Sequence, residues 1–491
     1  MIDLKTTFLL VGLVLGISIS CSSDSSESLE ISSAFQAQVK SLVAYPGHNR
    51  VKLHIFLEDE KVDYCALFRN GSNDSIVIRK DEIKDGIAEL IVEGLEEGSH
   101  TFEARAYDQQ HNPSAISVVT QGKAYGDKYI STLSARAVKD KIFITGKNPV
   151  LEWSDARDNE VALRLFYTDK EGKDRRLDVK SGQQSVTMGG YQENSDIDYY
   201  SMFLPEPACI DTFYSGRITI PAPTYYSSIS IKNVVEKSGL VNEVSSQSAS
   251  YIHEDVEYSS LQFKKANNEP LSIFVLEANL AGGRVTLSPL MPDNGTEFKL
   301  QTVKAMAEHR DNATGKVLAA ANADFFEYTG LPLGPVVING TVIKDYLKNE
   351  GNTYFGITTE GAPIIGYFSS SINLTRFKEM VGGGSHWLVV NGNNGAWSGD
   401  TKEPRTAVGY SRNNTVYLVV VDGRNSTYSV GVELTDLALI MKSLGTYQAI
   451  NLDGGGSSTM VIKENNGFQI INRYSDASPR TVANGLAILT K

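Results

Sequence analysis

The stretch Ala449-Ile450-Asn451-Leu452-Asp453-Gly454-Gly455-Gly456-Ser457-Ser458-Thr459-Met460-Val461-Ile462 joins two apolar runs through three glycines and two serines. An acidic residue leads the glycines and β-like runs flank them, so the segment reads as an ordered turn between strands. Three glycines let backbone approach a ligand closely and aim successive N–H groups at it, while Ser457 and Ser458 add hydroxyl donors. Such a cradle suits a phosphate or a sugar. It is not a nucleotide loop, because no Lys follows the glycines and no helix opens after them.

Two other apolar runs end in a carboxylate: Ala319-Ala320-Ala321 before Asn322-Ala323-Asp324, and Tyr417-Leu418-Val419-Val420-Val421 before Asp422-Gly423-Arg424. Strand ends present side chains to a crevice on a rigid base, where α/β proteins bind ligands. Helical spacing predicts a helix over Phe298–Ala307, with Leu300, Val303 and Ala307 on one face, and another over Leu434–Leu444 that stops at Gly445. Residues 255–491 are therefore read as a mixed α/β (α+β) catalytic domain. Helix, strand and Asn-x-Asp occur twice in it, and so does Pro-Arg-Thr, at 404–406 and 479–481. This predicts a duplicated half-domain with one site between the halves. Arg405 and Arg480 each offer a planar fork that stays charged in a cleft and fits phosphate or carboxylate.

Upstream the pattern is all-β. Over 34–124, alternating runs such as Val51–Phe56, Tyr64–Phe68 and Thr101–Tyr107 are separated by turn clusters such as Asn70-Gly71-Ser72-Asn73-Asp74. They predict an antiparallel sandwich, and Gly94–Asp108 resembles the late hairpin of a fibronectin type III module. A second sandwich-like module is read over 125–231, and a Ser-rich linker over 232–254.

At the start, Lys5 precedes an apolar run from Phe8 to Ile19. The run is too short to span a bilayer and suits a signal peptide over 1–20. Its junction at Ser20-Cys21 resembles a bacterial lipoprotein signal, with lipidation at Cys21 and a polar tether over 21–33. This predicts secretion across the inner membrane and lipid anchoring at the cell envelope, at an outer membrane and open to surface exposure. Cys65 and Cys209 are then small buried hydrophobes.

The chain has 491 residues with a net charge of −12, which gives it no general attraction for nucleic acid. Seven histidines show no HxH or HxxxH spacing, so no transition-metal signature appears. The single His386 before a strand reads as a structural donor. Clustered Asp and Asn leave open a hard cation such as Ca²⁺, although the DxDxDG pattern is missing. GxSxG is absent, which disfavours a common serine hydrolase. Nothing in the sequence names a protein partner.

Asn322-Ala323-Asp324-Phe325-Phe326, Gly334-Pro335, Pro404-Arg405-Thr406-Ala407-Val408-Gly409, Asp422-Gly423-Arg424, Asn451-Leu452-Asp453-Gly454-Gly455-Gly456-Ser457-Ser458 and Pro479-Arg480 together resemble the phosphodiester glycosidase family. The resemblance covers about residues 255–491. It implies cleavage between a sugar's anomeric carbon and a phosphodiester oxygen, with a phosphorylated glycan or sugar-1-phosphodiester as substrate. Asp453 and Asp422 fall on the family's acidic positions and are expected to be catalytic. Asn322, Asp324, Arg405, Arg424, Asn451, Gly455, Gly456, Ser457, Ser458 and Arg480 are expected to bind substrate. Arg405 and Arg480 should make a local positive pocket in an acidic protein. Rival readings are a phosphodiesterase that breaks P–O and a non-catalytic glycan-binding lipoprotein.

Overall fold

The structure is a computed structural model that describes residues 38–57, 61–311, 316–346, 352–395 and 400–491. The signal 1–20, the tether 21–33 and Cys21 lie outside the described residues. The chain divides into two compact units.

The first unit comprises Met1–Ala135, Ala156–Arg164 and Tyr200–Arg217. Its centre is a seven-stranded sheet in the order 75–79, 64–69, 98–107, 118–125, 39–48, 51–57, 87–92. Alternate residues of Val51–Leu57 are buried, as expected where one face of each strand meets the core and the other meets water. That core holds Leu53, Ile55, Leu67, Phe102, Ala104 and Cys65, and both Cys65 and Cys209 are free thiols.

The second unit comprises Arg136–Asp155, Leu165–Tyr199 and Ile218–Lys491. Its C-terminal part is built from three sheets. An eight-stranded sheet runs 243–253, 256–264, 270–279, 415–421, 405–410, 448–451, 387–390, 393–394. A five-stranded sheet runs 285–290, 485–490, 317–322, 460–464, 467–470, and a second runs 341–344, 336–338, 377–382, 353–358, 363–367. All their ladders are antiparallel.

The α/β expectation is thereby corrected. Among the described residues of 255–491 the α-helices are Val303–Arg310 and Leu434–Ser443, and β-sheet dominates. The continuous apolar run Thr415–Val421, buried at all seven positions, explains the misreading. A strand covered on both faces loses its alternation and resembles a buried parallel strand. One face meets Leu437, Ala438 and Met441 of the Leu434–Ser443 helix, and the other joins a core shared with the five-stranded sheets through Leu287, Ala321, Phe355, Val381 and Leu486. Burial of each Leu or Met of that helix contributes about 1.5–3 kcal/mol.

Two local readings also change. The first helix begins at Val303, because the Thr302 hydroxyl caps it by accepting the Ala305 N–H at 3.2 Å, so Phe298–Gln301 stay outside. Residues 232–254 are no linker. They complete the Ile229–Lys237 helix and form the Glu243–His253 strand, which pairs along its length with Val256–Lys264. As an edge strand its solvent face is polar, and that made Val244–Ser250 look like a spacer.

Candidate functional site

Because the ladders are antiparallel, the start of one strand lies beside the end of its neighbour. Arg405 pairs with Val421, and Ala407 with Asn451, so the Pro404-Arg405-Thr406 turn, Asp422 and Asp453 share one end of the eight-stranded sheet. In the adjoining sheet Asn322 pairs with Gly485, four residues past Thr481. The first Pro-Arg-Thr opens its strand, whereas the second lies before the start of the Gly485–Thr490 strand.

Asp453 is bolted in place by backbone on both sides. Its N–H donates to the Ala323 carbonyl at 2.9 Å, and its carbonyl accepts the Asn322 side-chain amide at 2.6 Å. The Gly454 N–H caps its carboxylate at 2.9 Å. Burial nevertheless pushes its pKa up to about 6, against the opposing pull of the Ser457 hydroxyl, the Gly454 N–H and the Arg480 charge. Such a carboxylate changes protonation near neutral pH, where a general base or acid works.

The three glycines that follow each lie against a different arginine. A Cβ on Gly454 would stand 2.8 Å from the Pro404 carbonyl and 3.7 Å from Arg405, and one on Gly455 would stand 3.1 Å from Arg424 Nη2. One on Gly456 would overlap Arg480 Nη2 and Asp476 Oδ2. Gly455 also has φ +60°, a left-handed conformation open to glycine.

The arginines are not the free forks expected. Arg405 pairs with Asp400 and donates to the Thr401 carbonyl at 2.8 Å and the Val432 carbonyl at 3.2 Å. Arg424 pairs with Glu403 at 2.6 Å, and Arg480 with Asp476 at 2.7 Å. Asp476 Oδ1 also lies 3.9 Å from Arg424 Nη1. Three cations therefore meet three carboxylates, which corrects the expectation of a local positive pocket. Arg405 is the most buried, and burial lowers its pKa. Arg424 and Arg480 remain about two-fifths exposed and offer unused N–H groups.

Asp422 lies behind the glycine turn. Its carboxylate accepts from Asn472 Nδ2 at 2.9 Å, the Arg473 N–H at 2.8 Å and Tyr428 Oη at 3.1 Å. Burial raises its pKa while these three bonds oppose the rise. Asn472 in turn donates to the Ser458 carbonyl at 3.1 Å and accepts the Met460 N–H at 2.8 Å. Asp422 thus anchors the turn that carries Asp453.

Several expected substrate contacts prove internal. Asn322 spends its oxygen on the Thr406 hydroxyl and the Thr459 N–H, at 2.8 and 3.1 Å. Ser458 is buried against Thr406 at 3.3 Å. Asp324 is 1% exposed: its Oδ2 accepts the Gly334 N–H at 2.6 Å, and its own N–H donates to Asn484. Burial raises the pKa of Asp324 to about 7, with the Lys344 charge opposing and the Asp453 charge adding to the rise. With no path to solvent, it is a wall group and not a ligand contact.

Asp324 Oδ1, Asn451 Oδ1, Thr459 Oγ1 and Asn484 Nδ2 are buried without a hydrogen-bond partner. Folded proteins pair nearly all such atoms, so the unpaired oxygen of Asn451, a residue that borders open space, points to a polar ligand there. Beside it opens a cavity of about 460 Å³ whose lining includes Phe325, Leu333, Ser385, His386, Arg405 and Asn451. That volume lies within the range of small-molecule sites, about 300–1,000 Å³. His386, with Nδ1 3.1 Å from Ser385 Oγ, belongs to this wall. Among the described residues no group of three or more His, Cys, Asp or Glu side chains gathers around a common point.

Sequence reasoning missed Asp400, Glu403, Asp476, Asn472 and Tyr428. Asp476 stands four residues before Arg480 and Asp400 five before Arg405, a charge pattern that was readable. Nothing along the chain points from Asn472 to Asp422.

This strand-end turn, with its carboxylate and arginine row, lies in a segment that known proteins share. Residues 315–489 match the phosphodiester glycosidase family. Residues 30–213 match a domain of unknown function. Over 164 residues the chain is 32% identical to the N-acetylglucosamine-1-phosphodiester alpha-N-acetylglucosaminidase of Mus musculus, covering 29% of this chain and 31% of that protein. It is 31% identical over 179 residues to the protein of the same name from Bos taurus, covering 32% and 33%. The chain thus spans about a third of the length of these curated relatives. The zebrafish catalytic domain of that name, solved auto-inhibited by its pro-peptide, aligns with a TM-score of 0.40 at 23% identity, covering 50% of this chain and 87% of that one.

Proposed function

We propose that the C-terminal domain hydrolyses a sugar-1-phosphodiester at the bond between the anomeric carbon and the phosphodiester oxygen. The observation that carries the reading is Asp453, a carboxylate with its pKa raised to about 6, fixed beside three glycines that each lie against an arginine. In this reading Arg424 and Arg480 exchange part of their pairing with Glu403 and Asp476 for the phosphate oxygens. Arg405 and Asn451 border the cavity that takes the sugar.

Asp453 acts as general base. Water attacks the anomeric carbon and gives its proton to the carboxylate, the C1–O bond breaks, and its electron pair leaves with the phosphate monoester. That leaving group is stable as an anion, so charge stabilisation by the arginines matters more than a strong general acid. Asp422 acts through Asn472 as a positioning residue. The relatives' names support N-acetylglucosamine as the first sugar to test.

Turnover of N-acetylglucosamine-1-phosphate methyl diester in ¹⁸O-water, followed by ³¹P resonance and mass spectrometry, tests the proposal. Label in the sugar supports it; label in the phosphate replaces it with P–O cleavage, and no turnover returns the domain to a binding role. Anchoring at the cell envelope through Cys21 belongs to the same proposal. Its test is incorporation of labelled fatty acid that Cys21→Ser abolishes.

A further inference from the structure

In the seven-stranded sheet of the first unit, Tyr64 and Tyr107 pair directly across neighbouring strands, and their rings lie 4.7 Å apart and 3° from parallel. Cys65 and Ala106, one position along each strand, belong to the core. Alternation therefore sends both tyrosines to the face away from the core. They fall in the segment that matches a domain of unknown function.

On its other side Tyr64 pairs with Arg79, and Val77, two residues back and 50% exposed, shares that face. Tyr64, Val77 and Arg79 line a cleft of about 610 Å³, and Tyr107 is not among the described residues that line it. The cleft thus meets the ring face that the Tyr64–Tyr107 stack leaves open. Its volume is that of a small-molecule site.

The polar groups around the ring are held by turns. The Glu82 carboxylate accepts the Arg79 N–H at 2.7 Å and fixes the short turn that carries Lys80 and Asp81. The Asp108 carboxylate accepts the Gln110 and Asn112 N–H groups at 2.9 and 2.8 Å, and the turn so formed sets His111 Nδ1 3.3 Å from Tyr64 Oη. Asp63 donates its N–H to the Tyr107 carbonyl at 2.8 Å. A site set before its ligand arrives loses less entropy on binding.

The lining charges cancel, with Arg79 and Lys80 against Asp63 and Asp81. Such a cleft selects no net charge, yet it offers strong donors and strong acceptors side by side. Hydroxyls use both, and the open aromatic face takes an apolar C–H surface. A pyranose ring combines the two. We propose that this cleft is a glycan-binding site of the first unit, in which an uncharged hexose stacks on Tyr64 and its hydroxyls bond Arg79, Asp63 and Asp81. The site stands whether or not the C-terminal domain turns over a diester.

Saturation-transfer NMR on the full chain, with maltotetraose, cellotetraose, mannotetraose and chitotetraose as probes, tests it. At least one probe should receive transfer at its C–H protons, with a Kd that Tyr64→Ala raises about three- to ten-fold and Tyr64→Trp restores. Because Tyr64→Ala also removes the stack on Tyr107, the exposed Arg79→Ala gives a second reading, in which Kd rises with Tm unchanged. Transfer to none of the four probes overturns the site. A Kd that neither substitution moves places the sugar elsewhere and overturns it too, and displacement of the bound sugar by inorganic phosphate replaces it with an anion site.

Discussion

The side-chain amide of Asn322 donates to the main-chain carbonyl of Asp453 at 2.6 Å, tying the end of a strand in one sheet to the end of a strand in another. The Asn322 oxygen meanwhile holds Thr406 and Thr459. Asn322→Ala would leave the Thr459 N–H and the Asp453 carbonyl short of a partner, at about 1–3 kcal/mol for each group stranded. Thermal melting should show a clear fall in Tm. Activity should fall further than the loss of folded protein explains, because Asp453 loses one of its two backbone ties.

Asp453→Asn keeps the shape of the turn and removes the base. We expect kcat to drop about 100- to 10,000-fold, the range for general acid–base catalysis. With the Asp453 pKa near 6, the unmodified protein should gain kcat/KM as pH rises through about 6, since only the ionised form accepts a proton. An acid limb that persists unchanged in the residual activity of Asp453→Asn would assign it to another group.

Asp324 gives a stability signature with a definite sign. Its folded pKa of about 7 lies above its ordinary 3.8, so the stability it contributes is fully present below about pH 3.8 and is lost as pH rises through 7. Glu379, also raised to about 7 by burial, titrates in the same window and is common to both proteins. Asp324→Asn should therefore narrow, without abolishing, the difference in Tm between about pH 5 and pH 8.5. A difference equal to that of the unmodified protein would show that Asp324 does not titrate as its burial demands.

The arginine row should divide by exposure. Arg480→Ala removes a charged donor facing the turn and should raise KM about 10- to 100-fold, in line with 1.5–3 kcal/mol for a charged hydrogen bond. Arg405→Ala instead takes the guanidinium from Asp400 and the donor from the Thr401 and Val432 carbonyls, and should lower Tm as well. Measuring KM and Tm together separates the two, and the reverse pattern would exchange their roles.

Much of the site was legible because its parts are contiguous. The turn from Asp453 to Ser458 and the runs ending in Asp422 and Asp324 declare themselves through a change from apolar to acidic and glycine residues. What failed was assignment across space. Asn322, Asp324 and Ser458 look like ligand donors in sequence, yet they are consumed or walled off. Arg405 and Arg480 look like free forks, yet Asp400 and Asp476 already hold them. Hydrogen-bond saturation depends on neighbours contributed by other sheets, and linear spacing carries no record of it.

The sequence by itself determined that a β-rich N-terminal part precedes a domain whose chemistry gathers at acidic strand ends, because side-chain periodicity and turn residues are local properties of the backbone. Only the tertiary structure decided that those ends belong to antiparallel sheets packed against one another, that each glycine lies against a different arginine, and that Asp453 is held by the strand of Asn322. Those relations arise from packing between segments separated along the chain, by 24 residues for Gly456 and Arg480 and by 131 for Asn322 and Asp453. Close contact in the core places them, and no pattern along the chain encodes that.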